Sequence, residues 1–360
     1  MRILQIIDSL AIGGAEKMAI SYANELLKYD EIKGSYLCAT RSEGDLIKQL
    51  DKQVDYVFLG RQSTFDLKAI LKLRSFILKN KIQIIQAHST SFFIATVIKA
   101  LLPNKVTLIW HDHYGNSTYL EQRPFKALKL ASTFFDQIFT VNSDLAHWSR
   151  KKLKFKKVLC INNFVANPAE INQDIQISGT PGFRIVCVAN LRPQKNHQGL
   201  LDAFSIVVRD FPESTLHLFG KSFNDEYSNK ILHILKTTDL KENIFYHGEV
   251  ENVRSFLPHF NIGVLASSSE GLPLALLEYG FAGLTVVATD VGEVRKVLQD
   301  NGIIIQTGKA DLFAKAIIKI FNDKEYAKAL GRNYREHVNK EYLADHVLPE
   351  VIKIYESIIR

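Results

Sequence analysis

The sequence predicts an α/β protein of two doubly wound domains facing an interdomain cleft, and three observations support this. Apolar, β-branched runs alternate with longer segments of helical periodicity along the 360 residues. That length exceeds what one hydrophobic core usually supports. The alternation is interrupted at 166–182, a polar segment with two Pro and two Gly that is typical of a linker. Strand–helix alternation favours parallel sheets covered by helices on both faces.

The predicted first domain, residues 1–165, contains short apolar segments separated by helical ones. A helix is predicted over Glu16–Lys28. The predicted strands are RILQIID (2–8), GSYLCAT (34–40), IQIIQAHS (82–89), VTLIWHDH (106–113), QIFTVNS (137–143) and KVLCINNF (157–164). Their content of Val, Ile and aromatic residues is typical of strands buried on both faces.

The predicted second domain, residues 183–342, repeats this pattern after the linker. Helices are predicted near 197–209, 225–238 and 251–258. The predicted strands are FRIVCVAN (183–190), STLHLFG (214–220), NIFYHG (243–248), NIGVLAS (261–267), TVVATD (285–290) and GIIIQ (302–306). Because ligands bind beyond the carboxyl ends of such strands, we expect a substrate site in the cleft between the domains.

The last segment, 343–360, has apolar residues at a helical spacing. These are Val347, Val351, Tyr355 and Ile358. We therefore expect a final helix that packs back on the first domain.

Composition narrows the class of protein. Cys38, Cys160 and Cys187 lie far apart, which disfavours a disulfide framework or a zinc site and fits a reducing compartment. The N-terminal MRILQIIDSL is typical of a first strand rather than a signal peptide. No apolar stretch reaches the roughly 18 residues that a membrane span needs. We therefore expect a cytoplasmic protein.

Positive charge is concentrated in the first half. Residues 1–165 carry 24 Lys and Arg against 14 Asp and Glu, whereas 166–360 carry 21 against 24. The segments RKKLKFKK (150–157), with Leu153 and Phe155, and QRPFKALKLASTFF (122–135), on a predicted helix, combine basic and apolar residues. Such segments suit an anionic bilayer or are simply solvated. No nucleic-acid-binding motif is present, so nucleic acid is not an expected partner.

The stretch EGLPLALLEYGFAG (270–283) is a candidate site. A strand and a Ser-rich loop precede Glu270, Pro273 suits the first turn of a helix, and Gly283 ends that helix. The free N–H groups of Gly271, Leu272 and the next residues would attract a phosphate, and carboxylates accept hydrogen bonds from sugar hydroxyls. Spacing alone favours the simpler alternative, that Glu270 merely caps the helix and Glu278 is solvated.

The longer segment SSSEGLPLALLEYGFAGLTVVATDVGE resembles the E-x7-E block of the retaining glycosyltransferases of family 4, which have the GT-B fold. The resemblance implies that Glu270 approaches the donor sugar and that Glu278 holds the nucleotide ribose. Thr285 stands where members of the family usually have Pro, at the start of a strand.

The segment VCVANLRPQKNHQGLLDAF (186–204) resembles the family's loop that clamps the donor pyrophosphate. Lys195 matches the family's Lys, whereas Asn190 stands where the usual Arg would be and Arg192 follows two residues later. Lys and Arg neutralise a diphosphate leaving group without a metal, and no DxD pair ends a strand, so we expect no metal. His197 follows this loop, where it could simply cap the next helix.

Softer matches cover the N-terminal half. LQIIDSLAIGGAEKMAISYANEL (4–26) resembles the family's glycine loop, with Gly13 and Gly14 close to a ligand, although a plain turn is the alternative. In LIWHDHYGN (108–116), His111 aligns with the family's strand-end His near the donor sugar and His113 is the second choice. His88 points to the same cleft by topology.

The base of the nucleotide would be held around FYHGEV (245–250), a region that includes His247, Gly248 and Val250. The resemblance thus implies transfer from a nucleotide diphosphate sugar, UDP-sugar favoured, to a glycan or lipid-linked sugar, with no cofactor. A role in bacterial surface polysaccharide synthesis, at the inner face of the plasma membrane, would follow. The alternatives are a non-catalytic nucleotide-sugar-binding module, favoured only by Asn190, and a nucleotide-sugar epimerase of the same fold.

Overall fold

The structure is a computed structural model that describes residues 1–102, 106–166 and 175–359, without the side chains of residues 117 and 118. Of the predicted linker, residues 167–174 therefore lie outside the described residues. Residues 175–182 form neither helix nor strand.

The chain divides into two compact units. The first comprises Met1–Ala166 together with Ala344–Arg360, and the second is Asn167–Leu343. Within the part of the chain that the structure describes, no helix combines the length and the apolarity needed to cross a bilayer.

The first unit is a parallel sheet with helices against it. Its strands are β1 (Arg2–Ser9), β2 (Gly34–Ser42), β3 (Asp55–Phe58), β4 (Ile84–His88), β5 (Thr107–Asp112), β6 (Gln137–Thr140) and β7 (Val158–Cys160). Its helices before the second unit are α1 (Gly14–Glu25), α2 (Leu67–Lys79), α3 (Phe92–Leu101), α4 (Lys126–Ala131) and α5 (Ser143–Trp148).

The strand order is β3-β2-β1-β4-β5-β6-β7, so the chain reverses its direction of sheet growth between β1 and β4. Leu4 of β1 pairs with Tyr36 of β2 on one side and with Ile85 of β4 on the other. A reversal of this kind leaves a crevice at the carboxyl ends of the two strands, where open α/β sheets bind ligands. The side chains that follow β1 and β4 are therefore placed for function.

The second unit has the same kind of sheet. Its strands are β8 (Arg184–Val188), β9 (Thr215–Phe219), β10 (Ile244–Gly248), β11 (Ile262–Leu265), β12 (Thr285–Thr289) and β13 (Ile303–Ile305). Its helices are α6 (His197–Asp210), α7 (Glu226–Thr237), α8 (Leu274–Ala282), α9 (Val294–Leu298), α10 (Ala310–Asn322) and α11 (Lys324–Glu341). The strand order β10-β9-β8-β11-β12-β13 reverses between β8 and β11.

The last helix, α12 (Ala344–Ile358), belongs to the first unit. The Ala344 amide donates to the Val165 carbonyl at 3.1 Å. The hydroxyl of Tyr355, a fully buried residue, donates to the side-chain carbonyl of Gln86 on β4. Its ring stacks on Phe139 of β6 with 6.3 Å between centroids. This helix therefore packs on the sheet that the first 160 residues build.

The structure differs from the sequence predictions at several elements. The helix predicted near 251–258 is replaced by two short 3-10 turns, Val253–Ser255 and Leu257–His259, because Pro258 supplies no N–H for a continuous helix. Strand β3 was not predicted, since only four residues form it. Within 122–135, the α-helix covers Lys126–Ala131 alone.

Candidate functional site

Two loops of the second unit meet at the reversal point of its sheet. One follows β8 and contains the helical turn Pro193–Lys195, and the other follows β11 and contains Glu270. The Ser268 amide donates to the Gln194 carbonyl at 2.8 Å. The two segments predicted to contact the donor are thus hydrogen-bonded to each other.

Lys195 and Glu270 form an ion pair between these loops. Lys195 Nζ lies 2.5 Å from Glu270 Oε1, and the Ser267 hydroxyl donates to the same oxygen at 2.6 Å. Glu270 is only 4% exposed, whereas the Lys195 side chain is 22% exposed. The result is a cation held at the surface by a buried, hydrogen-bonded carboxylate.

Glu270 is fixed by a close backbone contact. Gly292 has a φ of +53°, and a Cβ at this position would lie 2.4 Å from the Glu270 carbonyl oxygen and 2.5 Å from that of Gly271. The Gly271 carbonyl accepts from the Glu293 amide at 3.0 Å. Only glycine satisfies both this φ and this approach.

Helix α8 follows directly. It begins at Leu274, one residue later than expected, because Pro273 is the N-cap residue and is extended, with ψ 117°. No side chain caps the helix. Gly271, Leu272 and Pro273 are buried. Gly283, with a φ of +78°, ends the helix as predicted. A start without a side-chain cap leaves the first N–H groups for a ligand.

Glu278 lies on the fifth residue of α8 and is 3% exposed, so the solvated-surface alternative is wrong. The next residue, Tyr279, connects the two central strands of the sheet. Its hydroxyl accepts from the Val188 amide at 2.7 Å and donates to the Val264 carbonyl at 3.3 Å. Glu278 is thus carried by a helix that is fixed to both β8 and β11.

Asn190 and Arg192 have different surroundings. Asn190 Oδ1 accepts from the Lys221 amide at 2.8 Å, so its side chain supports the neighbouring loop. The Arg192 guanidinium lies over the Phe223 ring, 4.4 Å from its centroid. No contact of the kind that joins Lys195 to Glu270 is seen for Arg192 in the described part of the chain.

His197 is the first residue of α6, and Asn196 caps that helix by accepting from the Gly199 amide at 3.2 Å. The His197 ring is buried, with Nε2 3.3 Å from the Ala189 carbonyl. Burial lowers its pKa to about 4, with a smaller contribution from the charge of Lys195. Its side chain is therefore neutral at physiological pH and structural rather than a cap.

The region predicted for the base lies at the carboxyl end of β10. Gly248 has a φ of +69° with open space around it, and Val250 is half-buried. His247 is exposed; its ring stacks on Phe219 at 4.3 Å, and its Nε2 lies 3.0 Å from His217 Nδ1. Aromatic surface beside a glycine is suitable for a flat ring.

In the first unit, Gly13 and Gly14 lie at the start of α1. Gly13 is the N-cap and is extended, with φ −159°, so its φ does not require glycine. A Cβ there would instead meet Glu16 Oε2 at 2.2 Å, whereas one on Gly14 would meet nothing within 4 Å. The group that lies close to Gly13 is therefore the Glu16 side chain of the protein itself.

The structure brings together three histidines at the carboxyl ends of β4 and β5. His88 Nδ1 lies 2.9 Å from His113 Nε2, and the His111 and His113 ring centroids are 4.0 Å apart. His88 and His111 are fully buried. Burial lowers the pKa of all three imidazoles, that of His113 to about 3, so they are neutral near pH 7.

Asp112, between the two strand-end histidines, is bound by Arg123. The guanidinium donates to both carboxylate oxygens, at 2.6 and 2.9 Å, and lies over the rings of Tyr114 and Trp148 at 4.2 and 4.5 Å. This bidentate pair fixes the backbone on which His111 and His113 stand.

The sequence reasoning missed residues that support the site. Ser267 and Gly292 contact Glu270, and the Thr289 hydroxyl lies 2.6 Å from the Ser267 carbonyl. In the first unit, Gln5 and Gln86 contact the histidines. The Ser-rich loop and the VATDVGE segment were visible signals for the first group, whereas buried glutamines in strands carry none.

Comparison with known proteins identifies two domain families. Residues 12–166 match Glycosyltransferase Family 4, and residues 170–337 match Glycosyl transferases group 1. Between them, these two matches cover most of the chain.

Among full-length relatives, the O-antigen biosynthesis glycosyltransferase WbnH of Escherichia coli is 24% identical over 98% of both chains. The GalNAc-alpha-(1->4)-GalNAc-alpha-(1->3)-diNAcBac-PP-undecaprenol alpha-1,4-N-acetyl-D-galactosaminyltransferase of Campylobacter jejuni is 23% identical over 99% of both. Among solved structures, Anabaena Alr3699/HepE in complex with UDP and glucose superposes with a TM-score of 0.81 at 15% identity, covering 99% of this chain and 100% of that one.

Proposed function

The chain is a glycosyltransferase of the GT-B fold, with a Glycosyltransferase Family 4 domain followed by a Glycosyl transferases group 1 domain, and from this premise we propose that it is a retaining enzyme that uses a nucleoside diphosphate sugar. The observation that carries the proposal is the Lys195–Glu270 pair beside the uncapped start of α8. The epimerase and the non-catalytic module are not favoured by the relatives.

In the proposed reaction, the acceptor hydroxyl oxygen bonds to the anomeric carbon as the bond from that carbon to the diphosphate oxygen breaks. The hydroxyl proton passes to the departing diphosphate, on the same face of the sugar. Lys195 and the N–H groups at the start of α8 neutralise the charge that grows on the leaving group. No protein nucleophile and no metal ion take part.

Donor recognition follows from burial and charge. We assign Glu270 to the hydroxyls of the sugar and Glu278 to the two hydroxyls of the ribose, because both are nearly buried carboxylates, one in the loop before α8 and the other on its fifth residue. Gly248, Val250 and the His247 ring would contact the base. UDP is the favoured nucleotide, supported by its presence in the Anabaena complex.

Arg192 is assigned to the diphosphate together with Lys195. Its guanidinium rests on Phe223 and would turn towards the phosphates, in place of the Arg that Asn190 replaces. We assign His111, His113, Gly13 and Gly14 to the first unit's contribution to sugar and acceptor binding.

The acceptor proposed is a lipid-linked sugar, in the synthesis of a bacterial surface polysaccharide. Of the two relatives named above, one is a glycosyltransferase of O-antigen biosynthesis, and the name of the other gives a glycan linked to undecaprenol through a diphosphate as its acceptor. Such an acceptor lies at a membrane, so the enzyme would work as a peripheral protein at the inner face of the plasma membrane.

A basic and apolar face of the first unit supports this location. On α2, α3 and α4, which pack on one core, the charged side chains are all basic. They are Lys68, Lys72, Arg74, Lys79, Lys99, Lys126 and Lys129. Between them lie exposed Leu67, Leu71, Leu101 and Leu130, the last 72% exposed. Basic and apolar groups together suit an anionic bilayer.

The segment 150–157 fits this role less well. Leu153 is buried in the core, and Phe155 is half-buried against it, so only part of the Phe155 ring is available to lipid. Lys152 pairs with Glu121 at 2.6 Å. The membrane-facing surface that we propose is therefore α2, α3 and α4.

The proposed function is tested by offering the purified protein a panel of nucleoside diphosphate sugars with and without undecaprenyl diphosphate-linked sugars. We expect one UDP-sugar to raise the melting temperature, because a ligand of the native state stabilises it. We expect the sugar to be transferred with the anomeric configuration kept. Glu278→Gln should weaken donor binding, and Glu226→Gln, at an exposed position of α7, is the matched control. Donor binding without hydrolysis or transfer would contradict an enzymatic role.

A further inference from the structure

The three histidines of the first unit have the arrangement of a metal site. One imidazole nitrogen from each of His88, His111 and His113 lies within 4.8 Å of the others. His88 ends β4, whereas His111 and His113 lie on and just after the adjacent β5. Rigid parallel strands therefore present two of the three rings, which is a more exact support than a flexible loop.

Polar atoms around this cluster lack partners. Among the described residues, His111 Nε2, Gln5 Nε2 and Tyr22 Oη are buried without a hydrogen bond. His111 is fully buried, and the Tyr22 ring lies 5.7 Å from its ring. Since buried polar groups are normally paired, an unpaired imidazole nitrogen at a cluster of imidazoles indicates a missing ligand.

The remaining ring nitrogens are held by glutamines. His88 Nε2 lies 2.8 Å from Gln5 Oε1, so it carries the proton and leaves the Nδ1 lone pair directed at His113. His111 Nδ1 lies 3.1 Å from the Gln86 amide. In the orientation that the structure shows, the Gln86 carbonyl accepts from the Tyr355 hydroxyl. With the amide turned over, its N–H donates to that hydroxyl, its carbonyl accepts from His111 Nδ1, and His111 Nε2 presents a lone pair. Outer hydrogen bonds of this kind orient metal-binding histidines.

We propose that His88, His111 and His113 bind one divalent transition-metal ion of the Zn²⁺ class, through His88 Nδ1, His111 Nε2 and a ring nitrogen of His113. Tetrahedral zinc with bonds of about 2.0–2.1 Å separates its nitrogens by about 3.3 Å. The 2.9 Å between His88 Nδ1 and His113 Nε2 needs to open by only a few tenths of an ångström. The fourth position is left for water or a small ligand.

The chemistry of the ligands selects the ion. Imidazole suits Zn²⁺, Cu²⁺ and Ni²⁺, whereas Mg²⁺ and Ca²⁺ need oxygen ligands. The nearest carboxylate in sequence, Asp112, is occupied by the bidentate contact with Arg123. The ion is therefore distinct from any that would bridge the phosphates of a donor, and the proposed transfer step still uses no metal. His111 and His113, which we assign to sugar and acceptor binding, would then act there through the bound ion.

The test is a titration of the chelator-stripped, full-length protein with Zn²⁺ in competition with a chromogenic zinc chelator. We expect one ion per chain. Co²⁺ in its place should give the visible absorption of a tetrahedral nitrogen site. His88→Gln and His113→Gln each remove a metal ligand and should weaken Zn²⁺ binding by roughly 100-fold. This is the upper end of the roughly 10–100-fold range that loss of an outer hydrogen bond causes. Gln86→Leu removes an outer hydrogen bond, and its loss of Zn²⁺ affinity should lie within that roughly 10–100-fold range.

His147→Gln, at an exposed position of α5 in the same unit, is the matched control and should bind Zn²⁺ like the unmodified chain. Far-UV circular dichroism shows which variants fold; His113 is half-buried, so its variant is expected to fold even if the His88 variant does not. No stoichiometric Zn²⁺ binding, or binding unchanged in His113→Gln, overturns the site. Because the titration uses no donor sugar, its result is independent of the proposed function.

Discussion

Lys195 and Glu270 neutralise each other before any substrate is present. Glu270 is almost completely buried, with a second hydrogen bond from Ser267, so removing Lys195 leaves a buried carboxylate without its cation. A donor diphosphate would offer Lys195 a second anionic partner. The same side chain thus positions the acid that we assign to the sugar and contacts the group that leaves.

For Lys195→Ala we expect turnover to fall by roughly 10²–10³-fold, the effect of removing one preorganised electrostatic contact. Lys315→Ala, at an exposed position of α10, is the matched control and should leave turnover unchanged. Turnover is measured as release of the nucleoside diphosphate under saturating donor. Near-normal turnover in Lys195→Ala would remove this residue from the leaving-group role.

His197 gives the second unit a dependence on acid. Its folded pKa of about 4 lies below its unfolded value of 6.5, so its contribution to stability is complete above pH 6.5 and is lost as the pH falls towards 4. Between pH 7.5 and 5.5 this loss is about 1.4 kcal/mol. His197→Gln should reduce the acid-induced loss by that amount, measured by urea unfolding at both pH values. An equal loss in both proteins would contradict the assignment.

Among single residues, Glu270, Glu278 and Lys195 could be identified as candidates from the sequence because the segments around them resemble those of a known family; their spacing alone left a capping or solvated role open. It could not show that Glu270 and Lys195 are paired, because that contact joins loops 75 residues apart. Nor could it show that Asn190 supports the neighbouring loop through the Lys221 amide.

Among the elements, the loop before α8 depends on one backbone position. Gly292→Ala adds a methyl group 2.4 Å from the Glu270 carbonyl at a φ of +53°. Left-handed strain and overpacking together should cost roughly 2–5 kcal/mol. We expect faster amide hydrogen exchange across 268–274 and weaker donor binding.

Gly308→Ala separates these two causes. Gly308 has a φ of +76° with nothing within 4 Å of a Cβ, so its variant carries the left-handed strain alone, about 1–2 kcal/mol. If both alanine variants were equally stable and bound the donor equally, the close contact at Gly292 would have no role in shaping the loop.

Helix α12 completes the core of the first unit. Leu348 is fully buried, and Leu348→Ala should destabilise that unit by roughly 2–5 kcal/mol. Trp110 and Trp148 both lie in the first unit, so tryptophan fluorescence reports its unfolding separately. Exposed Lys353→Ala on the same helix is the control. An unchanged fluorescence midpoint in Leu348→Ala would show that the helix does not stabilise this unit.

Element prediction succeeded where strands are buried on both faces. Such strands are continuous apolar runs, as in β5 and β12, whose every residue is buried. It failed at β3, a four-residue strand at the edge of the sheet, and at 251–258, where apolar spacing suggested a helix that Pro258 interrupts. A short edge strand is decided by packing, which periodicity does not report, whereas the break at 251–258 comes from a proline that is visible in the sequence.

For the whole molecule, the uneven distribution of charge along the chain should determine whether the protein binds an anionic membrane. The excess of Lys and Arg lies in residues 1–165. Sedimentation with anionic vesicles should be strong at low salt and weak at high salt, and absent with neutral vesicles. Lys126→Glu with Lys129→Glu should weaken binding at least about 10-fold, since each basic residue contributes about 1 kcal/mol.

Lys309→Glu with Lys315→Glu makes the same change of net charge in the second unit, at exposed positions. Equal losses in the two double variants would mean that net charge, and not the face of α2, α3 and α4, is responsible.

The fold class was predictable from alternation along the whole chain. The acceptor was not, because the residues that would recognise it follow no shared spacing.

The return of α12 to the first unit also orders events during synthesis. The second unit is one uninterrupted stretch of chain, whereas the first needs both its N-terminal 166 residues and the helix from Ala344 onward. Domains usually fold as their residues leave the ribosome, the N-terminal one first. Here the sheet of the first unit lacks its last helix until the whole second unit has been synthesised. The C-terminal unit is therefore expected to be the first to reach its native state.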